Sequence, residues 1–125
     1  MSLDPYSARV RELFSAPAHA GELDGPLRIA IEDQGVRVNL SAQTSSGKVE
    51  VLRFKAWGCP HVIAAAEAFC DAYEGQDNAA LLEFSASDLM QSLPVPIEKT
   101  GRILVIEDAV RSLGKTIRDA SKADD

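Results

Sequence analysis

The stretch RFKAWGCPH at residues 53–61, followed by the alanine-rich run VIAAAEAFC at residues 62–70, decides the fold of this 125-residue chain. A strand-like segment leads into Gly58, and the apolar residues after Pro60 are spaced by three or four. This change of period predicts a strand that ends at a Gly-Cys corner and a helix that begins there. The Cys59 thiol would then lie beside backbone N–H groups at the start of the helix, where a thiolate is electrostatically favoured.

Three strand-like segments precede this corner. They are residues 27–31, 36–40 and 49–54. Gly35 and the run TSSG at residues 44–47 supply the turns between them. Short connections between consecutive strands indicate an antiparallel meander. Because helical patterns dominate after residue 55, the sequence predicts an α+β fold, a three-stranded antiparallel sheet with the helices packed on one face.

Helices are predicted before and after these strands along the chain. A short amphipathic helix spans residues 6–15. The helix after the corner buries a stripe of apolar residues, which consists of Val62, Ala66, Phe69, Cys70 and Tyr73. A short helix through Gln91 is capped by Ser85 or Ser87. The last helix presents a second stripe, which consists of Ile103, Ile106, Val110, Leu113 and Ile117. Residues 119–125 are predicted to form a frayed tail at the end of a single domain, residues 1–125.

Composition and charge exclude several classes of protein. Hydrophobic residues make up 46% of the chain and charged residues 26%, as expected for a globular domain with one core. The formal net charge of −6 argues against a nucleic-acid partner, which binds through clustered Lys and Arg. No apolar run approaches the roughly 20 residues that span a bilayer, and residues 1–5 lack the basic and apolar regions of a signal peptide. We therefore expect a cytoplasmic protein with no membrane partner and with two free thiols.

Three segments of the chain resemble one known family, the U-type iron–sulfur cluster scaffolds (the IscU and NifU N-terminal family). The corner is similar to that family's Arg-Phe-Lys-x-Tyr-Gly-Cys corner. YSARV at residues 6–10, with Pro17 and Gly21 after it, resembles the family's first helix and turn. ILVIEDAV at residues 103–110 resembles its last helix. The resemblance covers most of residues 6–118 and implies the scaffold fold and a role in iron–sulfur cluster assembly.

The resemblance also implies which residues would hold a cluster. The family uses three cysteines, assisted by an aspartate and a histidine, and only the second cysteine has a counterpart here, Cys59. The family register places the first cysteine near Asp33 and the third near Arg102. The aspartate and histidine positions fall near Gly35 and Gly101. The resemblance therefore implies a degenerate scaffold with one of the three ligand cysteines and with lost or weakened cluster binding.

Cys59 is the candidate cofactor- and metal-binding thiol, and two further side chains could join it. His61 follows two residues later and offers a nitrogen ligand. Asp33 supplies a third ligand in the family register. Cys70 would lie about 16 Å along the helix from Cys59 and belongs to the apolar stripe, so we assign it to the core. His19 lies in a loop without an evident partner, and we assign it to the surface.

Two segments are candidates for partner binding. Trp57 is predicted to pack against the sheet, and the alternative is a partner-binding anchor. LPVP at residues 93–96 resembles the family's Leu-Pro-Pro-Val-Lys peptide, which an Hsp70-type chaperone grips. The alternative for this segment is a plain extended linker.

Three functions fit this sequence. The first is a scaffold-like role in iron–sulfur cluster assembly, with a transient cluster as cargo and with a cysteine desulfurase and a chaperone as partners. The second is a non-catalytic interaction or regulatory module that keeps the scaffold fold. The third is a weak mononuclear carrier of iron or zinc. We expect no enzymatic activity, because no nucleophile–base pair or pair of carboxylates stands out in the sequence.

Overall fold

The computed structural model describes residues 8–93 and 95–123. Its helices and strands follow in chain order as α1 Ala8–Ser15, β1 Arg28–Asp33, β2 Val36–Ser45, β3 Lys48–Trp57, α2 Pro60–Tyr73, α3 Ala86–Ser92 and α4 Thr100–Ala123. Two 3₁₀ helices, Asn78–Glu83 and Ile97–Lys99, precede α3 and α4. None of the helices in this part of the chain is long and apolar enough to cross a membrane.

The three strands form an antiparallel sheet in the order β1-β2-β3, as predicted. Gln34 and Gly35 form the first connection and have φ values of 56° and 74°. Ser46 and Gly47 form the second and have φ values of 55° and 77°. Two consecutive positive φ angles are typical of type I′ turns, whose twist matches that of the paired strands. Glycine supplies the second position without steric cost.

An irregularity in the pairing of β2 with β3 changes which residues of β3 face the core. The register shifts between Gln43 and Thr44, where β3 contains one extra residue. Val49, Leu52 and Phe54 are all buried. Strict alternation from Val49 would put Leu52 and Phe54 on the opposite face. A β-bulge therefore lets both halves of β3 contribute to one core.

The long helices α2 and α4 pack on one face of the sheet, as predicted. That face carries Val36, Val38, Leu40 and Ala42 of β2, and all four are buried. α2 contacts β3, α4 contacts β1 and β2, and the two helices contact each other. The predicted stripe of α4 is buried in full, with Ile103, Ile106, Val110, Leu113 and Ile117 each at most 1% exposed. α1 packs on α2.

The segment between α1 and β1 follows the outer edge of β3. The N–H of Gly21 donates to the Phe54 carbonyl at 2.8 Å, and the N–H of Phe54 donates to the His19 carbonyl at 3.0 Å. We call residues 17–21 the strap. The strap covers part of a strand edge whose backbone groups would otherwise be open to pairing with another chain.

Several element boundaries differ from the predicted ones. α1 begins at Ala8, and Tyr6 of the predicted helix lies outside the described residues, as does Pro94. The sequence pattern does not predict the first 3₁₀ helix, because six residues are too few to show a clear period. α4 continues to Ala123 and so includes most of the predicted tail, whereas residues 124–125 lie outside the described part.

Candidate thiol site at the end of the third strand

The corner between β3 and α2 presents the Cys59 thiol. Gly58 lies so close to its surroundings that a Cβ atom there would be 3.4 Å from Val62 Cγ2 and 3.5 Å from Val36 Cγ2. Cys59 is the N-cap residue of α2, with φ −84° and ψ 166°, and Pro60 follows in the first turn. Proline suits that position because its missing N–H would have no partner within the helix. The predicted strand-to-helix corner is therefore present, and its thiol is partly exposed.

The pKa of the Cys59 thiol is lowered from its ordinary value. Burial acts in the opposite direction, but nearby N–H groups and a positive charge outweigh it. These groups are the backbone N–H of Val62, which donates to the Cys59 carbonyl at 2.9 Å, the Arg102 guanidinium and the backbone N–H of His61, and the positive charge of Arg102 adds to their effect. Two of these donors are the helix N-terminal groups that favour a thiolate. The third comes from a distant helix.

The start of α4 completes the corner. α4 begins at Thr100, so Arg102 lies in its first turn. A Cβ atom on Gly101 would be 3.4 Å from Gln34 Oε1 in the turn between β1 and β2. The β1–β2 turn, the β3–α2 corner and the start of α4 therefore meet. Arg102, the residue near the family's third-cysteine position, lies close enough to the corner for its guanidinium to lower the pKa of the Cys59 thiol.

His61 lies in the first turn of α2 and is buried, with 4% of its surface exposed. Burial lowers the pKa of the imidazole, and the positive charge of Lys99 lowers it further, against an opposing effect of Glu98. The neutral imidazole is the form that binds metal ions. The neighbouring ammonium group, however, disfavours a metal cation at this position.

Asp33 is the exposed last residue of β1 and pairs with Val36 across the first turn. Across residues 8–93 and 95–123, no three His, Cys, Asp or Glu side chains form a group that could hold a metal ion. The structure therefore does not bring Cys59, His61 and Asp33 together as a ligand set. The groups that lower the pKa of the thiol are backbone N–H groups and the Arg102 cation instead.

Residues 5–113 match the family described as the NifU-like N terminal domain. The chain belongs to this family. "Iron sulfur cluster assembly protein 1, mitochondrial" of Eremothecium gossypii is 24% identical, over 94% of this chain and 82% of the relative. "Iron-sulfur cluster assembly protein IscU" of Plasmodium falciparum is 24% identical, over 91% of this chain and 74% of the relative. A crystal structure of the N-terminal part of a NifU-like protein from Brucella abortus has the same fold, with a TM-score of 0.71, 15% identity and coverage of 90% of this chain and 94% of that one.

Cys70, the other cysteine of this NifU-like domain, lies in the core, as predicted. Burial raises the pKa of its thiol, and the negative charges of Glu67 and Glu74 raise it further. A buried thiol that stays protonated is a poor nucleophile and a poor metal ligand. Cys70 therefore adds no donor to the Cys59 corner.

His19 of the NifU-like domain is not a surface residue, so its predicted assignment is wrong. Its N–H donates to Glu67 Oε1 at 2.7 Å, and its Nδ1 lies 2.5 Å from Glu67 Oε2. Its Nε2 lies 3.4 Å from Glu74 Oε1. Glu74 Oε2 also accepts from the Leu52 N–H at 2.9 Å and from Arg53 Nη1 at 3.2 Å. These partners are far from His19 in sequence, and only the folded chain brings them together.

Trp57 is 49% exposed, and the guanidinium carbon of Arg37 lies 5.1 Å from its ring centroid. The two residues pair across β2 and β3. Only part of the ring therefore packs against the neighbouring strand. The rest of its surface is free to contact a partner next to the Cys59 corner.

Sequence reasoning missed the contributions of Arg102 and of Glu67. The role of Arg102 could have been inferred from the family register. The register matches Arg102 to the family's third-cysteine position, which is expected to lie beside Cys59. Glu67 stands alone within the apolar run at residues 62–70, and it is 5% exposed. A single carboxylate on a buried helix face needs a partner of opposite charge, which is a signal for a residue such as His19.

Proposed function

We propose that this protein acts in iron–sulfur cluster assembly as a scaffold-like member of its family, with Cys59 as the cluster-facing thiol and with weakened cluster binding. The Cys59 corner carries this proposal, since it presents a partly exposed thiol of lowered pKa at the N-terminus of α2. A thiolate in such a place is a ligand for soft metals. Family membership supports the proposal, as do the printed names of the two relatives, which are iron–sulfur cluster assembly proteins.

The donors at this corner do not fit a stably held cluster. A [2Fe–2S] cluster takes about four protein ligands, mostly thiolates. Cys59 is the one thiol that the described residues offer there, because Cys70 is buried in the core. The positive charge of Arg102, which helps to lower the pKa of the Cys59 thiol, opposes a further metal cation there. The cluster is therefore a transient cargo in this proposal.

Reconstitution tests the proposal. The protein is incubated with ferrous iron and sulfide without oxygen, desalted, and assayed for iron, sulfide and visible absorption. We expect well below about one cluster per monomer to remain. The remaining absorption should disappear in Cys59→Ser and persist in Cys70→Ala. Retention of about one cluster per monomer would contradict weakened binding.

Two exposed apolar side chains favour a second candidate, an interaction or regulatory module that keeps the fold. Trp57 is 49% exposed, and Ile97 in the second 3₁₀ helix is 90% exposed. Exposed aromatic and aliphatic side chains are typical of interface anchors. The partners in this reading are iron–sulfur assembly proteins such as a cysteine desulfurase. A protein that retains neither iron nor sulfide after reconstitution would favour this candidate.

The segment at residues 93–96 acts as an anchored linker in this proposal. Leu93 is 1% exposed and Val95 packs against the core, whereas Pro94 lies outside the described residues. A chaperone that gripped this segment as an extended peptide would have to withdraw Leu93 from the core. That withdrawal would cost about 2–5 kcal/mol of burial.

The remaining expectations belong to the same proposal. A scaffold binds and releases its cargo, so we propose no enzymatic activity for this chain. A mononuclear iron or zinc carrier would need Cys59, His61 and Asp33 in one ligand set, and the described residues do not form that set. The cytoplasmic location inferred from the sequence stays a prediction.

A further inference from the structure

The outer edge of β3 has hydrogen-bond partners at three positions along the strand. The N–H and C=O of Val49 bond to the backbone just after α2. At Leu52, the N–H donates to Glu74 Oε2 at 2.9 Å and the C=O accepts from Arg53 Nη1 at 2.6 Å. At Phe54, the strap supplies both partners. The fold therefore satisfies the outward-facing backbone groups of this edge as far as Phe54.

The next outward-facing position on this edge is Ala56. Ala56 pairs with Val38 of β2, and Phe54 pairs with Leu40, so both residues have the same place in the alternation of the antiparallel ladder. Because the N–H and C=O of Phe54 face the strap and not β2, those of Ala56 face the same side. No backbone group of residues 8–93 and 95–123 bonds to them there. Ala56 therefore presents one free donor and one free acceptor at the end of the edge.

The strap ends before it reaches Ala56 because the chain turns at Gly21. Gly21 has a φ of 145°, which glycine adopts without steric cost. After this turn, the Leu23 N–H donates to Ser41 Oγ at 2.9 Å. Ser41 lies on the face of the sheet opposite the helices, because its neighbours Leu40 and Ala42 face the core. The chain thus crosses to that face and leaves the last part of the edge uncovered.

A groove with apolar walls and a basic rim lies beside Ala56. Its volume is about 400 Å³. The apolar side chains that line it are Phe14, Pro17, Ala20, Trp57 and Ile63. Lys55 also lines it, and its Nζ lies 3.6 Å from Glu22 Oε2. Oε1 of the same carboxylate lies 3.5 Å from Arg28 Nη1. One carboxylate therefore serves two exposed cations, which leaves positive charge at the rim for a partner.

We propose that the uncovered end of β3 is a docking site for an extended segment of a partner protein in which aliphatic and acidic residues alternate. The residue opposite Ala56 exchanges two backbone hydrogen bonds with it, and its aliphatic side chain enters the groove. Successive side chains of a strand point to opposite faces, so the adjacent acidic side chain meets Lys55. The inference goes beyond the proposed function, because it concerns the strand edge and not the Cys59 thiol.

Binding of a synthetic peptide tests this proposal. The probe is a short, acetylated and amidated peptide of alternating Glu and Val, and its control is the same peptide with every Val N-methylated. Trp57 is the only tryptophan of the chain, so its fluorescence reports binding at the groove. We expect a Kd below about 1 mM for the probe. The methylated peptide should bind at least about tenfold more weakly, because it cannot donate to the Ala56 carbonyl.

A proline substitution tests the strand edge itself. Ala56→Pro removes the outward-facing N–H but keeps the ladder bonds of β2 with β3, which involve the neighbouring residues. The matched control is Ala30→Pro, since Ala30 has the corresponding outward position in β1 at the opposite edge of the sheet. Ala56→Pro should weaken binding of the probe about tenfold, and Ala30→Pro should leave it unchanged. Lys55→Gln should weaken it severalfold, and this effect should disappear at high salt.

NMR of the unmodified protein keeps the proposal falsifiable if Ala56→Pro folds poorly. The probe should shift the Ala56 amide signal and slow its hydrogen exchange, whereas the methylated peptide should do neither. No change in this amide or in Trp57 fluorescence at a few millimolar probe would overturn the proposal. Equal affinity for both peptides would also overturn it, because the groove would then bind side chains without strand pairing.

Sedimentation identifies the other possible occupant of this edge, a second copy of the chain. A dimer of the unmodified protein that becomes a monomer in Ala56→Pro would mean that two β3 edges pair with each other, which would overturn the proposal of a partner segment. We expect the unmodified protein and both proline variants to have the same mass in solution. The reconstitution assay of Cys59 contains no peptide, so the proposed function and this inference fail separately.

Discussion

Cys59 and Cys70 are the same residue type in opposite surroundings. Cys59 lies at a helix N-terminus, with N–H groups and a guanidinium around its sulfur. Cys70 lies about three turns further along α2 in the core, next to the carboxylates of Glu67 and Glu74. The pKa of the first thiol is lowered and that of the second is raised. Reactivity therefore follows the position in the fold and not the residue type.

At the residue scale, we predict that a thiol reagent labels Cys59 long before Cys70. Cys70 is fully buried and reacts only when the helix layer opens locally. A local opening that costs a few kcal/mol slows labelling on the order of a hundredfold. Mass spectrometry of iodoacetamide-treated native protein measures both rates, and both thiols should react together in denaturant. Equal rates in the folded protein would show that the two environments do not differ as described.

Helix α4 serves the core and the site at the same time. Its apolar stripe packs on β1 and β2, and its first turn carries Arg102 to the Cys59 corner. Near its middle, Gly114 allows the first 3₁₀ helix to approach closely. A Cβ atom on Gly114 would be 3.1 Å from Leu81 Cβ and 3.2 Å from the Leu82 backbone nitrogen. The position of α4 therefore depends on a glycine that helix propensity alone would disfavour.

At the element scale, we predict that Gly114→Ala destabilises the protein by about 1–3 kcal/mol, because the methyl group would press on backbone that cannot move freely. Gly101→Ala is the matched control on the same helix, since its Cβ would meet only the flexible end of Gln34 at 3.4 Å. Helix propensity should make that control neutral or stabilising by up to about 1 kcal/mol. Urea unfolding measures both changes. A stabilising Gly114→Ala would show that the first 3₁₀ helix yields without cost.

His19 joins the strap, which follows the edge of β3, to helix α2, because its ring contacts Glu67 and Glu74. Burial disfavours the His19 imidazolium, but the hydrogen bonds and charges of Glu67 and Glu74 outweigh it and raise the pKa of His19. Burial likewise disfavours the Glu74 carboxylate, but the Leu52 N–H, the His19 charge and Arg53 lower its pKa. The charged pair is therefore favoured in the folded state. Glu67 also lines a groove with Asp71 of α2 and with Arg9 and Glu12 of α1, so charges of both signs lie near it.

At the scale of the whole molecule, we predict that the interactions of His19 with Glu67 and Glu74 contribute most to stability between pH 4.5 and pH 6.5. These are the ordinary pKa values of Glu and His in the unfolded chain. The raised pKa of His19 gives stability that is complete below 6.5 and is lost as pH rises through the folded value. The lowered pKa of Glu74 gives stability that is present above 4.5 and is lost as pH falls through the folded value.

The measurement is the free energy of unfolding of the unmodified protein and of His19→Gln at several pH values. His19→Gln should cost about 1–3 kcal/mol near pH 5.5 and clearly less at about pH 8.5. The pKa of buried His61 is also lowered, so this residue makes the folded protein less stable in the acid range. This effect is the same in both proteins and cancels in the difference between them. A difference that does not change with pH would show that His19 acts through packing alone.

The sequence by itself determined the order and type of the main elements. Period-two segments before residue 55 and apolar stripes after it predict the sheet and the helix layer, because both patterns depend on neighbours within one element. The same local information places Cys59 at a helix N-terminus and Cys70 on a buried stripe. The family register adds the position of Arg102 in the chain.

Only the tertiary structure decided what surrounds these residues. Residues from different elements form the bulge opposite Gln43 and the partners of His19, and Arg102 of α4 lowers the pKa of Cys59 at the start of α2. No local period encodes such contacts, since they depend on how packed elements meet and on burial that strengthens each charge interaction. Asp33, inferred from the family register, and His61, inferred from its spacing to Cys59, form no group with the thiol that could hold a metal ion among the described residues. Residues that are close in sequence lie near the same corner, but packing decides which of their side chains contact the thiol.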